Sequence, residues 1–126
     1  MCTIADVAAL LDGVPGLQLV YDSANMLAMG EDPLCYHDHF ADRVGYYHLK
    51  DVIITDDPSG DAMYNGKYLL AVRIGTGLMD FPAILSKAKA SDYSGYLSVE
   101  YTPRGEEWQH HLENVTAARE LLEQAM

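Results

Sequence analysis

Hydrophobic residues recur at helical spacing near the N-terminus and then merge into a short continuous run. Thr3, with Asp6 three positions later, is typical of a helix N-cap, and the apolar pattern predicts a helix to about Leu11. After a turn rich in glycine and proline, the run at 17–21 predicts a strand that ends at Asp22. The chain therefore begins with a helix followed by a strand.

The same alternation continues along the rest of the chain. An Asp-Pro pair at 32–33 predicts the start of a second helix, and the run at 44–49 predicts a second strand. Asp80 is a candidate cap for a third helix, and 96–100 is the third strand. From Glu106 onward, apolar spacings of four and three predict a long amphipathic helix through Trp108, Leu112, Val115, Ala118 and Leu122.

The segment 51–77 interrupts this pattern. It is rich in loop-forming residues, and Asn65-Gly66 between aromatic flanks predicts a β-hairpin outside the main sheet. Helices that alternate with strands favour parallel strands joined by helical crossovers. A closed (β/α)₈ barrel needs eight strands and typically about 250 residues, so the three core strands predicted here make only part of one.

Composition and charge narrow the classes of partner. The 126 residues are 49% hydrophobic, which is enough for one domain or a piece of one. Nineteen acidic against eight basic residues give a net charge of −11, which opposes binding to nucleic acid or an anionic membrane. Two separated cysteines, no charged leader and no apolar run near the roughly 20 residues of a membrane span lead us to expect a cytoplasmic protein.

Each core strand delivers one metal-binding or titratable side chain near its carboxyl end: Asp22, His48 and Glu100. In parallel α/β folds these strand ends form a common ligand-binding rim, so residues distant in sequence converge there. Two carboxylates and one imidazole suit Mn²⁺, Mg²⁺ or Co²⁺ and can also hold Zn²⁺. The alternative is that these are turn residues or partners of backbone groups.

Four segments carry a family resemblance: LQLVYDSANMLAMGEDP, VGYYHLKDV, GTGLMDFPAIL and DYSGYLSVEYTP. In this order they resemble the C-terminal half of the xylose isomerase-like TIM-barrel superfamily, the sugar phosphate isomerases and epimerases. The resemblance implies an α/β fold in which residues 1–126 form a single partial (β/α)₈ TIM-barrel domain of about the last three βα units. It also implies a divalent metal, with Mn²⁺ expected first, bound by Glu, Asp, His and Glu on successive strands.

Asp22, His48 and Glu100 match the last three of these four metal ligands, and the first glutamate would lie before this chain begins. The implied reaction is isomerisation or epimerisation of a small polyhydroxylated substrate, by proton transfer through an enediolate. Glu100 is then both a metal ligand and the catalytic proton-transfer group. Since related enzymes commonly use two glutamates, we expect the chain alone to be crippled or inactive.

Three further residues are candidates for substrate binding. Asn25 stands where relatives with a D-x-x-H turn have a histidine. Its side-chain amide can hydrogen-bond a hydroxyl, but unlike histidine it cannot take up or release a proton near neutral pH. Lys50 shares an extended face with His48 and is either an oxyanion or phosphate ligand or a solvated rim lysine. Arg104 follows Glu100 and either grips an anionic group or pairs with a neighbouring glutamate.

The missing strands leave three explanations of the length: a piece of a larger enzyme, one component of a split barrel, or a self-associating half-barrel. Because open sheet edges leave backbone groups unpaired, we expect a homo-oligomer or a partner half-barrel. The rival functions are a non-catalytic α/β interaction module and an apurinic endonuclease-like hydrolase, which would need further histidine and aspartate ligands. His37 and His39 do not share a helix face and are expected at the surface.

Overall fold

The computed structural model describes residues 3–63, 65–101 and 108–125. Helices and strands alternate in it, with a second small sheet inserted between the second and third parallel strands. In chain order the elements are α1 Ile4–Gly13, β1 Leu19–Asp22, a 3-10 turn Asn25–Met29, α2 Pro33–Phe40, a 3-10 turn Ala41–Arg43, β2 Val44–Leu49, β3 Asp51–Thr55, β4 Asp61–Ala62, β5 Tyr68–Val72, α3 Phe81–Ala90, β6 Leu97–Val99 and α4 Trp108–Ala125.

Three strands form a parallel sheet in the order β1-β2-β6. Asp22 is in register with His48, and His48 is in register with Ser98. The ladder continues past the strand ends, since the amide of Glu100 donates to the carbonyl of Leu49 at 2.9 Å. The prediction of an α/β fold with parallel strands and crossover helices is confirmed.

The helices begin where their capping residues predict. Thr3 and Asp6 form a reciprocal capping box at the start of α1. The carboxylates of Asp32 and Asp80 each accept a backbone N–H from the first turn of α2 and α3. These side chains satisfy amides that would otherwise have no partner at a helix N-terminus, which is why the sequence signal for the three starts is strong.

The inserted segment contains the predicted hairpin and one additional strand. It forms a separate antiparallel sheet in the order β3-β5-β4 with loops between the strands, so the placement outside the main sheet is confirmed. Gly66 adopts a φ of 79° in the connecting turn, and the amide of Met63 donates to the carbonyl of Lys67 at 2.8 Å. The β-branched run 52–54 lies on β3, which pairs with β5 on the other side from β4.

Two side chains of the main sheet anchor the core on its helix-covered face. Tyr21 and Tyr47 are fully buried, and Phe40 and Ile84 of the flanking helices belong to the same cluster. His37 of α2 is 2% exposed and hydrogen-bonds the hydroxyl of Tyr47 at 2.6 Å, so the expected surface position is wrong. The tyrosine hydroxyl satisfies Nε2 of this buried imidazole, whereas Nδ1 has no hydrogen-bond partner within the described residues.

The packed face of α4 agrees with the prediction at Ala118 and Leu122 and differs from it nearer the start of the helix. Leu112 and Val115 are more than half exposed. The side chain of Trp108 is not among those that the structure describes. Asn114 is 1% exposed instead, and its side-chain oxygen accepts the amide of Ile74 at 2.8 Å. Apolar periodicity does not identify an asparagine as a packed residue, although Asn114 ties the helix to the backbone at Ile74. Within the described residues, no helix has the length and apolar character needed to cross a bilayer.

Candidate metal centre

The centre forms at the carboxyl ends of the three parallel strands. Asp22 closes β1, His48 lies next to the end of β2, and Glu100 directly follows β6. Because side chains alternate between the two faces of a strand, the register puts all three on the face opposite Tyr21 and Tyr47. The prediction that three residues remote in sequence meet here agrees with the geometry.

Ligand atoms from the three side chains all lie within 4.8 Å of one another. His48 Nδ1 is 2.8 Å from Glu100 Oε2 and 3.9 Å from Asp22 Oδ2. Oxygen and nitrogen ligands about 2.0 to 2.2 Å from one cation are separated by at most about 4.4 Å. A small side-chain adjustment therefore brings the three groups within range of a single ion.

Asp22 is held on one side and left open on the other. Its Oδ1 accepts the amides of Ala24 and Asn25, each at 2.9 Å. Its Oδ2 is buried and has no hydrogen-bond donor within the described part of the chain. Burial raises the pKa of Asp22, although the two amides and the charge of Lys50 act in the opposite direction. A divalent cation would supply the missing partner of this oxygen and favour the ionised carboxylate.

Glu100 is positioned by contacts to both of its oxygens. Oε2 faces the imidazole of His48, and Oε1 accepts the Lys50 ammonium at 3.2 Å. Burial acts to raise the pKa of Glu100, but the Lys50 charge and the hydrogen bonds from Lys50 and His48 bring it below its usual value. Glu100 is thus the more readily ionised carboxyl, and Asp22 is the one that needs an added charge.

Lys50 links the three ligands to a neighbouring cleft. Its side chain is 11% exposed and donates to Glu100 and, at 3.3 Å, to the amide oxygen of Asn25, so the interpretation as a solvated rim lysine is wrong. Sequence reasoning missed the support beneath it. The Ser23 hydroxyl donates to the Lys50 carbonyl at 2.6 Å and accepts the Lys50 amide at 2.8 Å. A serine directly after a strand-end aspartate was the available signal.

A second residue missed by sequence reasoning stabilises the adjoining loop. Asp51 is 1% exposed, and its carboxylate accepts four backbone amides between 2.8 and 3.1 Å, including those of Gly75 and Gly77. A Cβ on Gly77 would lie 2.3 Å from Asp51 Oδ1, so this turn requires glycine. The K-D pair and the G-x-G turn are therefore one structural unit, which fixes the backbone directly after Lys50.

The adjoining cleft has a volume of about 480 Å³ and lies between the 3-10 turn 25–29 and the antiparallel sheet. Asn25 and Lys50 line it, and they also contact Asp22 and Glu100 respectively, so the cleft adjoins the three ligands. Its size falls in the usual range for small-molecule sites, about 300 to 1,000 Å³. The third predicted substrate residue, Arg104, lies outside the described residues.

The residues fit a divalent cation on chemical grounds. They offer two carboxylates and one imidazole, a mainly oxygen set suited to Mn²⁺, Mg²⁺ or Co²⁺ and compatible with Zn²⁺. The carboxylate oxygen Asp22 Oδ2 is buried and has no hydrogen-bond partner within the described residues, so coordination to such an ion would give it one. The formal charges of the two carboxylates and the Lys50 ammonium add up to −1. A bound divalent cation would change the net charge of the site to +1.

Curated relatives of the chain include inosose dehydratases. The Lacticaseibacillus casei enzyme is 29% identical over 92 residues, covering 67% of this chain and 30% of that protein. The enzyme of Geobacillus kaustophilus (strain HTA426) is 32% identical over 92 residues, covering 67% of this chain and 29% of that protein. The chain thus spans less than a third of the length of these relatives.

Solved structures of low identity share the fold. A xylose isomerase domain protein from Planctomyces limnophilus has a TM-score of 0.76 at 22% identity, over 98% of this chain and 43% of that one. An L-ribulose 3-epimerase has a TM-score of 0.63 at 21% identity, over 98% of this chain and 42% of that one. A family model described as Xylose isomerase-like TIM barrel matches residues 1–121. With the strand-end site and these matches taken together, the chain belongs to the xylose isomerase-like TIM barrel family.

Proposed function

We propose that this chain is part of a divalent-metal-dependent isomerase or epimerase. Its substrate is a small polyhydroxylated carbonyl compound, and the reaction begins with removal of a proton from the carbon beside the carbonyl. The observation that carries the proposal is the convergence of Asp22, His48 and Glu100 within 4.8 Å at the strand ends, beside a cleft. The names of its relatives, among them an L-ribulose 3-epimerase, support the reaction class.

The side chains divide the work. Asp22, His48 and Glu100 would hold the ion, for which Mn²⁺ is the first candidate; when bound, it supplies Lewis-acid stabilisation of the negative charge that develops on the substrate oxygen. Glu100 is the proton acceptor, because it is an ionised carboxylate at the strand ends and Lys50, which contacts it, also lines the cleft. Lys50 orients Glu100 and adds positive charge where the enediolate of the substrate forms. Asn25 offers its amide to a substrate hydroxyl.

Dehydration is a second candidate, favoured by the inosose dehydratases among the relatives. An inosose is a cyclic polyhydroxylated ketone, so loss of water from it also starts with a proton leaving the carbon beside the carbonyl. The same Glu100 serves both reactions. They differ in whether the proton returns to the substrate or a neighbouring hydroxyl departs.

The proposal includes an assembly. Strands β1 and β6 are the two edges of the three-stranded parallel sheet, and apolar side chains such as Val20 on β1 are about half exposed. Further barrel strands would cover these edges and supply another carboxylate, either from a homo-oligomer or from a partner half-barrel. Analytical ultracentrifugation of the purified chain tests this, and a stable monodisperse monomer would contradict it.

Exchange of hydrogen for deuterium beside the carbonyl tests the chemistry, because it needs only one proton acceptor. The Mn²⁺-loaded chain is incubated in D₂O with L-ribulose or with an inosose, and NMR follows deuterium incorporation and products. We expect metal-dependent exchange that falls at least about 100-fold in Glu100→Gln, in line with the usual contribution of a general base. Epimer formation and an unsaturated product distinguish the two reactions.

Glu120→Gln is the matched control, since Glu120 is exposed on α4. It should exchange like the unmodified chain. Exchange that persists without metal or in Glu100→Gln, or no exchange by the metal-loaded chain, would contradict the role assigned to Glu100.

A further inference from the structure

We infer that the cleft beside the metal centre selects an uncharged polyhydroxylated ketone and rejects its phosphorylated counterpart. This inference rests on the proposed function, which it deepens by naming the class of substrate. The cleft connects to the site through Asn25 and Lys50, which line it and are hydrogen-bonded to each other. A substrate whose carbonyl lies at the three ligands therefore extends its remaining carbons into the cleft.

The charges around the cleft disfavour an anion. Among the described residues that line it, Lys50 is the one cation and Asp61 the one anion. The Lys50 ammonium already pairs with Glu100 at 3.2 Å, so its charge is committed to the metal centre. A phosphate dianion would meet the exposed carboxylate of Asp61, and the described lining offers it no cation besides the paired Lys50. The net charge of −11 repels it at longer range.

The rest of the lining suits the carbon skeleton of a neutral sugar or cyclitol. Most of it is apolar, with the side chains of Met26, Met29, Val52 and Leu69 among the larger contributors. Such walls pack against C–H faces, while Asn25 and Asp61 can hydrogen-bond hydroxyl groups and fix the ring orientation. The substrates that the relatives' names give, inosose and L-ribulose, are uncharged ketones as well.

A matched pair of probes tests the inference: D-fructose and D-fructose 6-phosphate. Each is titrated into the ¹⁵N-labelled full chain with saturating Mg²⁺, and the backbone amides of Ala28, Ala62 and Leu69 report on occupation of the cleft. We expect D-fructose to shift these amides with an affinity at least about tenfold higher than that of its phosphate. Asp61→Lys should narrow or reverse this ratio.

Asp12→Lys makes the same change in net charge at an exposed position on α1 and should leave the ratio unchanged. The inference is overturned if the phosphate binds the unmodified chain as tightly as D-fructose or more so, as it would if Arg104 supplied a phosphate site. Equal ratios in the two lysine variants, or no shift of the three amides with either sugar, would overturn it too.

The metal is followed separately through the side-chain resonances of His48. If the His48 resonances show a bound metal but neither sugar shifts the three cleft amides, the inferred substrate class is rejected and the proposed metal-dependent function is not. Selective binding of D-fructose without a metal at His48 rejects the proposed function and leaves the assignment of the cleft standing.

Discussion

The two faces of the parallel sheet have opposite chemistry although they alternate along the same strands. Tyr21 and Tyr47 face the helices, are fully buried and have hydrogen-bonded hydroxyl groups, since Tyr21 donates to the Pro33 carbonyl at 3.1 Å and Tyr47 pairs with His37. Their direct neighbours Asp22 and His48 face the other way, toward a partly open site with one unpartnered carboxylate oxygen.

Adjacent residues of one strand therefore have different roles: the tyrosines stabilise the fold, and Asp22 and His48 are available for binding. On the helix-covered face the two tyrosine hydroxyls are hydrogen-bonded within the chain, and among the described residues His37 Nδ1 is the one buried polar side-chain atom there that lacks a partner. On the metal-centre face, the carboxylate oxygen Asp22 Oδ2 has no donor within the described residues, so a ligand that binds this oxygen would add stability. Substitutions on the first face should therefore change folding, and those on the second should change binding.

The largest effect is expected from Tyr21→Ala. Removing this side chain empties a fully buried position and leaves a cavity, so the free energy of unfolding should fall by about 3–5 kcal/mol, as for other large aromatic truncations. Urea unfolding monitored by circular dichroism measures the change. Tyr96→Ala, at a side chain 83% exposed, should cost less than about 0.5 kcal/mol, and similar losses in the two variants would refute the contrast.

Asp22→Asn should lower Mn²⁺ affinity at least about 100-fold, equivalent to about 2.7 kcal/mol of binding free energy. The metal-free chain should be as stable as before or more so, because burial raises the pKa of Asp22 and its ionised form disfavours folding at neutral pH. Isothermal titration calorimetry and thermal unfolding measure the two quantities. Unchanged Mn²⁺ affinity, or a large loss of metal-free stability, would show that Asp22 belongs to the structural face.

A smaller effect should appear in the pH dependence of stability. Burial lowers the pKa of His37 below its ordinary 6.5, so between that value and the folded-state pKa the unfolded chain binds more protons. The contribution is fully present above about pH 6.5 and is lost as the pH falls, with a slope of at most about 1.4 kcal/mol per pH unit.

His37→Gln should remove this component of the slope, as measured by urea unfolding between pH 5 and 7. His39→Gln is the control, because His39 is exposed on the same helix. Identical pH profiles for the unmodified chain and His37→Gln would contradict the role of burial.

The sequence predicted best what local chemistry determines. The aspartate and threonine caps fixed three helix starts, and the single polar residue at each strand end identified the three groups that meet in the structure. Burial of polar side chains was harder to foresee. His37 and Asn114 are buried because specific partners, the Tyr47 hydroxyl and the Ile74 amide, reach them from distant parts of the chain.

Lys50 shows the same limit within the site. Its position beside His48 was evident from strand periodicity, but its pairing with Glu100 and Asn25 depends on how three separate segments pack. Ser23 and Asp51, which hold the backbone on either side of Lys50, carry no sequence signal beyond their position after a strand end. Sequence patterns located the chemical groups, and tertiary packing determined which of them interact.

The central claim is that Asp22, His48 and Glu100 bind one divalent cation together. Electron spin-echo measurements on the chain with one equivalent of Mn²⁺ test it most directly, since they detect nitrogen bound to the ion. We expect one tightly bound Mn²⁺ with coupling to a single imidazole nitrogen, retained in His39→Gln and lost in His48→Gln. Coupling that persists in His48→Gln, or no tightly bound ion in the unmodified chain, would contradict the claim.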